Sequence, residues 1–186
     1  MDRPVLYIHG FASSGRSAKA ADLKGRFPEV YAPTLSHIPE LAVETLEQFI
    51  AALHPRRPLL VGSSLGGYYA LHLCGATGLP AVLVNPVTAI EPPLTEVVGV
   101  QHSYFDGSSF EFTAEHVQAL QRLKPAAADP ARLLVLVQLG DEVLDQNTTL
   151  ERLSGARSVV EDGGDHAFRN FADHLPEIEA FAAGFE

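Results

Sequence analysis

At 186 residues, with 46% hydrophobic and 19% charged content, the chain has the make-up of one soluble globular domain, 1–186, rather than a disordered or fibrous segment. No apolar run nears the ~18 residues of a membrane span, and a formal charge of −10 with 13 scattered Lys and Arg argues against nucleic-acid binding. The single cysteine, Cys74, excludes a disulfide framework and a multi-cysteine zinc site.

Met1-Asp2-Arg3-Pro4 runs directly into the strand-like Val5-Leu6-Tyr7-Ile8, which leaves no room for a signal peptide, so a cytoplasmic location is expected. Strand patterns follow at 5–9, 30–32, 59–62, 81–85, 133–139 and 158–161, several of them apolar at consecutive positions, as in strands covered on both faces. Helical patterns alternate with them at 17–26, 39–53, 65–77, 113–123, 146–153 and 168–183. Pro39 is suited to open its helix, whose apolar face reads Leu41, Leu46, Phe49, Ile50 and Leu53. Alternating strand and helix predicts an α/β fold with a mainly parallel sheet of about six strands and right-handed crossovers.

One segment breaks that rhythm. Residues 87–128 carry Pro92-Pro93, Gly99, Gly107 and the aromatics Tyr104, Phe105, Phe110 and Phe112, with only one clear helix. A connection of that length is usually functional, and it reads as a cap or lid inserted over the sheet rim. The alternative is a longer crossover whose aromatics pack on the core.

Residues Gly62-Ser63-Ser64-Leu65-Gly66 spell G-x-S-x-G between a strand pattern and a helix pattern. A serine at such a corner sits in a strained turn with its hydroxyl above the sheet, and a Cβ on either flanking glycine would collide across the bend. Ser64 is therefore the candidate nucleophile.

A serine hydroxyl needs a base, and the base an orienting carboxylate. With a nucleophile elbow these follow in the order Ser, Asp or Glu, His. Gly140-Asp141-Glu142 follows the strongest strand pattern and Gly163-Gly164-Asp165-His166 the last one. His166 is preferred as base over His72, which points away within its helix, over His54, His116 and His174 on polar helix faces, and over His37 and His102, which lie in loops with no strand to position them. Asp141 is preferred as acid. Asp145 stays open as the alternative, although it is suited to cap the helix at 146. Glu142, next along an extended segment, should point elsewhere, and Asp165 abuts His166 too closely to grip its Nδ1.

Oxyanion stabilisation needs backbone donors. The N–H of Leu65 follows the nucleophile, and Phe11, in the His9-Gly10-Phe11 loop after the first strand, supplies the second. His9 is expected to shape this loop rather than transfer protons. Ser13-Ser14-Gly15 lacks the rest of a phosphate-binding loop and reads as a polar turn before a helix.

With these positions in hand, the chain resembles the α/β-hydrolase superfamily and, more narrowly, the small bacterial YqiA-type esterase family. The resemblance rests on His9-Gly10-Phe11 with Ser13-Ser14, Ser17-Ala18-Lys19-Ala20, Val61 through Ala70, Val84-Asn85-Pro86, Gly140 through Asp145 and Gly163 through Phe168. It implies a Ser64–Asp141–His166 triad that hydrolyses small-molecule carboxylic esters through an acyl-enzyme, with no metal or organic cofactor. Hydrolysis of acyl-CoA thioesters is the alternative, followed by a non-catalytic binding protein on the same scaffold. Residues 88–124 depart from the pattern, which leaves the acyl preference open. Asp165 stands where an uncharged residue such as Asn would be expected.

Overall fold

Six short runs, each too short for a helix and five of them predominantly apolar, form the central sheet of the computed structural model, which describes residues 3–90, 97–125 and 127–185. In chain order the elements are β1 (Val5–Ile8), α1 (Ala18–Arg26), β2 (Val30–Tyr31), α2 (Pro39–Leu53), β3 (Leu59–Ser63), α3 (Leu65–Thr77) and β4 (Ala81–Val84). They continue with β5 (Gly99–His102), β6 (Ser109–Phe112), α4 (Ala114–Leu123), β7 (Leu133–Gln138), α5 (Gln146–Arg152), β8 (Arg157–Glu161) and α6 (Leu175–Ala183). The large sheet has the order β2-β1-β3-β4-β7-β8, and every pairing in it is parallel. All its strands therefore end on one rim.

Alternate side chains fill two cores, one on each face. Leu6, Ile8, Leu60, Leu83 and Val135 face α2, α3 and α4, while Val5, Tyr7, Val61, Val82 and Leu136 face α1 and α6. In α3 even the glycines of the first turn are buried, and the helix is apolar nearly all round. Tyr68 in α3 donates its hydroxyl to the Leu120 carbonyl of α4 at 2.9 Å, which ties the two helices inside the core. Cys74 is buried, and burial pushes its thiol pKa up to about 11, so it stays an inert thiol. In α2 the buried face includes Ala42, Val43, Leu46 and Leu53, whereas Leu41, expected on the apolar face, is 47% exposed, one step off the buried stripe.

Two segments differ from the sequence-based expectation. Between β4 and β7, β5 and β6 pair as an antiparallel hairpin, with Gly99 opposite Phe112 and His102 opposite Ser109. His102 is thus the last residue of a strand rather than part of a loop. The final helix is also shorter than 168–183. Phe168 takes a positive φ of 51°, a short 3₁₀ turn spans Phe171–His174, and α6 begins only at Leu175, with Pro176 in its first turn. Phe168 and Phe171, each 1% exposed, anchor this bend in the core. Among the described residues, no helix is long and apolar enough to cross a membrane.

Candidate active site

Ser64 stands at the corner between β3 and α3 with φ 56° and ψ −121°, a conformation that costs energy and persists only where its surroundings enforce it. Both flanking glycines are required. A Cβ on Gly62 would lie 2.2 Å from the Gly66 carbonyl oxygen across the bend, and one on Gly66 would lie 2.0 Å from the Ile8 carbonyl oxygen of the neighbouring strand. The second glycine thus keeps α3 clear of β1.

The structure brings Ser64, His166 and Asp141 together. Nε2 of His166 lies 3.0 Å from Ser64 Oγ, and Nδ1 lies 2.8 Å from Asp141 Oδ2 and 3.0 Å from Oδ1. A carboxylate accepts only, so the ring proton sits on Nδ1 and the Nε2 lone pair faces the serine hydroxyl. The Asp141 side chain is wholly buried. Its Oδ1 accepts the N–H groups of Val143 and Leu144, both at 2.9 Å, and its Oδ2 accepts Gln146 Nε2 at 2.7 Å. Burial pushes the Asp141 carboxyl pKa up, but hydrogen bonds from His166, Leu144 and Val143 outweigh it and hold the carboxyl below its ordinary value. Asp145 instead caps α5, accepting from Asn147 N–H at 3.0 Å and Thr148 Oγ1 at 2.8 Å.

The loop carrying His166 is held from several elements. Glu142 does not point away: its carboxylate accepts the His166 backbone N–H at 2.9 Å. Asn85, fully buried at the end of β4, donates to the Asp165 carbonyl and accepts the Gln138 N–H. Gln138 in turn accepts the Asp165 N–H at 3.0 Å. Lys19 of α1 donates to the Ala167 carbonyl, and Asp165 forms an ion pair with Arg169 at 2.9 Å. Local sequence pattern does not reveal the roles of Asn85, Gln138, Glu142 and Gln146, because each acts through a partner distant in the chain or through a turn with no local signature.

Beside Ser64, Gly10 lets the loop after β1 approach closely: a Cβ there would come 3.1 Å from Ser64 Cβ. His9 is buried, with Nδ1 2.8 Å from the Gly10 carbonyl and Nε2 accepting the Leu35 N–H at 2.9 Å. Burial lowers its pKa against the opposing effect of the Gly10 bond, so it is a neutral brace for the loop. Ser14 Oγ accepts the Arg16 N–H, as befits a turn entering α1. The Phe11 ring packs edge-on against Phe112 at 4.9 Å and Phe110 at 5.7 Å, and Tyr104 N–H donates to the Ala12 carbonyl at 2.8 Å. The β5–β6 hairpin thereby rests on the loop that carries Phe11. Among the described residues, neither the Phe11 nor the Leu65 N–H meets a protein acceptor. No cluster of three or more His, Cys, Asp and Glu suited to a metal ion occurs among these residues either.

Known proteins share this architecture. The esterase domain of a Rhodothermus marinus protein superposes with a TM-score of 0.67 at 19% identity, covering 97% of this chain and 87% of that one. Mouse alpha/beta hydrolase domain-containing protein 10 does so with a TM-score of 0.66 at 13% identity, covering 95% and 89%. These likenesses show that the fold is that of the α/β hydrolases. In sequence, a UPF0227 protein of Shewanella sp. (strain ANA-3) is 30% identical over 186 residues, covering 95% of this chain and 98% of its own length. The family described as "Uncharacterised protein family (UPF0227)" matches residues 4–183, and the chain belongs to it.

Proposed function

We propose that this chain is a serine hydrolase that cleaves carboxylic esters through an acyl-enzyme. One observation carries the reading: a continuous hydrogen-bonded relay from Ser64 Oγ through the His166 ring to a buried, ionised Asp141. Ser64 attacks the acyl carbonyl as His166 Nε2 takes its proton. Asp141 holds the ring in the tautomer that can do so and stabilises the imidazolium that forms. The negative oxygen of the tetrahedral intermediate is received by the Phe11 and Leu65 N–H groups, whose freedom from acceptors among the described residues fits that role. His166 then protonates the leaving alcohol, and water repeats the sequence in reverse to release the acid. In this reading the connection between β4 and β7 is the cap over the site.

A thioester substrate carrying a polyanionic leaving group fits less well. Of the two cations near the oxyanion loop, Lys19 is turned inward to Ala167 and Asp165, and only Arg16 remains at the surface, over the Phe105 ring. The reading is tested by labelling with a fluorophosphonate. The native protein is expected to label covalently, and Ser64→Ala and His166→Ala are expected not to. A native protein that resists the probe would overturn it.

A further inference from the structure

A cavity of about 360 Å³ opens beside the proposed oxyanion donors, lined by Gly10, Phe11 and Leu65 on one side and by the hairpin on the other. Ser64, Asp141 and His166 lie outside its lining, so it flanks the reacting centre on the side away from the base. In a tetrahedral intermediate formed at Ser64, the leaving oxygen must face His166 Nε2 and the oxyanion must face the two N–H groups. The remaining substituent, the acyl chain, is then directed away from His166, and this cavity is available to receive it.

The walls combine rings with hydroxyls. Phe11, His37, Phe105 and Phe110 contribute aromatic surface, and the His37 ring stacks on Phe110 at 4.9 Å with 26° between planes. Among them lies Tyr69, a residue only 4% exposed whose hydroxyl has no hydrogen-bond partner among the described residues. A phenol so placed bonds to water or to a ligand that enters the cavity. Burial also raises its pKa, so it remains a neutral O–H that can both donate and accept.

The geometry points to this cavity as the binding site for a hydroxyaryl acyl group, a hydroxyphenyl ring joined to the ester carbonyl by a short linker, with the Tyr69 hydroxyl bonded to the ring hydroxyl. At ~30 Å³ per water-sized group, the cavity holds roughly a dozen non-hydrogen atoms, which suits such an acyl group. A saturated chain would leave the Tyr69 hydroxyl without a partner, whereas a hydroxylated ring stacks and bonds at once. The assignment rests on the hydrolase reading above.

The test compares the ethyl esters of acetic, octanoic, palmitic, cinnamic and para-hydroxycinnamic acids, using native protein, Tyr69→Phe and Phe105→Ala. The para-hydroxycinnamate is expected to exceed both octanoate and unsubstituted cinnamate in kcat/KM by ~10-fold or more, since a site built to bond a hydroxyl rejects the analogue lacking it. Tyr69→Phe should erase the preference over cinnamate. Phe105→Ala should lower the ratio of para-hydroxycinnamate to acetate by ~3- to 10-fold, the scale of one aromatic pairing. Acetate turnover with octanoate or palmitate preferred, or Tyr69→Phe lowering every ester alike, overturns the acyl assignment and leaves the hydrolase reading standing. Failure to turn over any ester, acetate included, overturns both.

Discussion

Glu142 accepts the backbone N–H of His166 at 2.9 Å while its neighbour Asp141 holds the ring of the same histidine through Nδ1 at 2.8 Å. Adjacent carboxylates thus fix one residue twice, once by its main chain and once by its side chain. The first bond sets where the loop stands and the second how the imidazole is oriented. Gln can still accept at that distance, so Glu142→Gln should keep kcat close to native. Glu142→Ala should lower kcat about tenfold with KM little changed, as expected when a base is misplaced and substrate binding is left intact. Steady-state kinetics on a simple ester would show it, and equal rates in Glu142→Ala and native protein would dispose of the idea.

The neighbouring acids have separate tasks. Asp141 reaches His166 and Asp145 caps α5. Asp141→Asn should lower kcat by ~10⁴, because an amide there favours the wrong imidazole tautomer. Asp145→Asn keeps a capping oxygen and should turn over at the native rate with a small fall in Tm at most. If Asp145→Asn were the inactive variant, the proposed assignment of the acid would be reversed.

Gln146 donates to Asp141 Oδ2 at 2.7 Å from a residue only 2% exposed. Replacing it with Leu keeps much of the volume and removes one of the donors to the carboxylate. Hydrogen bonds to charged groups contribute about 1.5–3 kcal/mol, so the variant should lose ~10-fold or more in kcat/KM. An unchanged kcat/KM with a lower Tm would make Gln146 a packing residue only.

Much of this arrangement is legible in the sequence for one physical reason. Ser64, Asp141 and His166 each stand shortly beyond a strand of a parallel sheet, and parallel strands share a rim. What escapes reading depends on the third dimension. The alternation argument for Glu142 fails because the Asp141 carboxylate accepts the N–H groups of Val143 and Leu144, which curls the chain into a turn where an extended segment was expected. The first strand of the hairpin is hidden because Val100, its one large apolar residue, is 67% exposed, with Gln101 turned inward in its place. The partner strand alternates openly, as Ser109-Phe110-Glu111-Phe112, but is short enough to pass for part of a loop. The helix expected from Phe168 is delayed because burying Phe168 and Phe171 bends the chain first.

Stability should carry the signature of Asp141. Its carboxyl is held below the ordinary value of 3.8 in the folded protein. A depressed carboxyl contributes stability in full above the unfolded value, and that contribution fades as pH falls toward the folded one. Urea unfolding of native protein and Asp141→Asn, run from about pH 7 down to about pH 3, should therefore show a native advantage that is level at first and shrinks below about pH 4. An advantage independent of pH across that range would mean that the charge of Asp141 adds nothing to folding.

The loop after β1 offers the sharpest separation of folding from chemistry. Gly10 has an ordinary negative φ, so alanine meets no backbone strain there, but its Cβ would stand 3.1 Å from Ser64 Cβ and 3.2 Å from the Ser63 carbonyl oxygen. The loop must give by a few tenths of an ångström, and Phe11, whose N–H is the proposed oxyanion donor, moves with it. Because the Phe11 ring is braced against Phe110 and Phe112, the displacement should fall on the backbone rather than disperse into the hairpin. Gly10→Ala should then lower kcat by ~10²–10³, the cost of an oxyanion donor, with Tm changed little. Fluorophosphonate labelling at Ser64 should slow in proportion, since its phosphoryl oxygen uses the same donors. Native kcat in a folded Gly10→Ala protein would remove Phe11 from the oxyanion site.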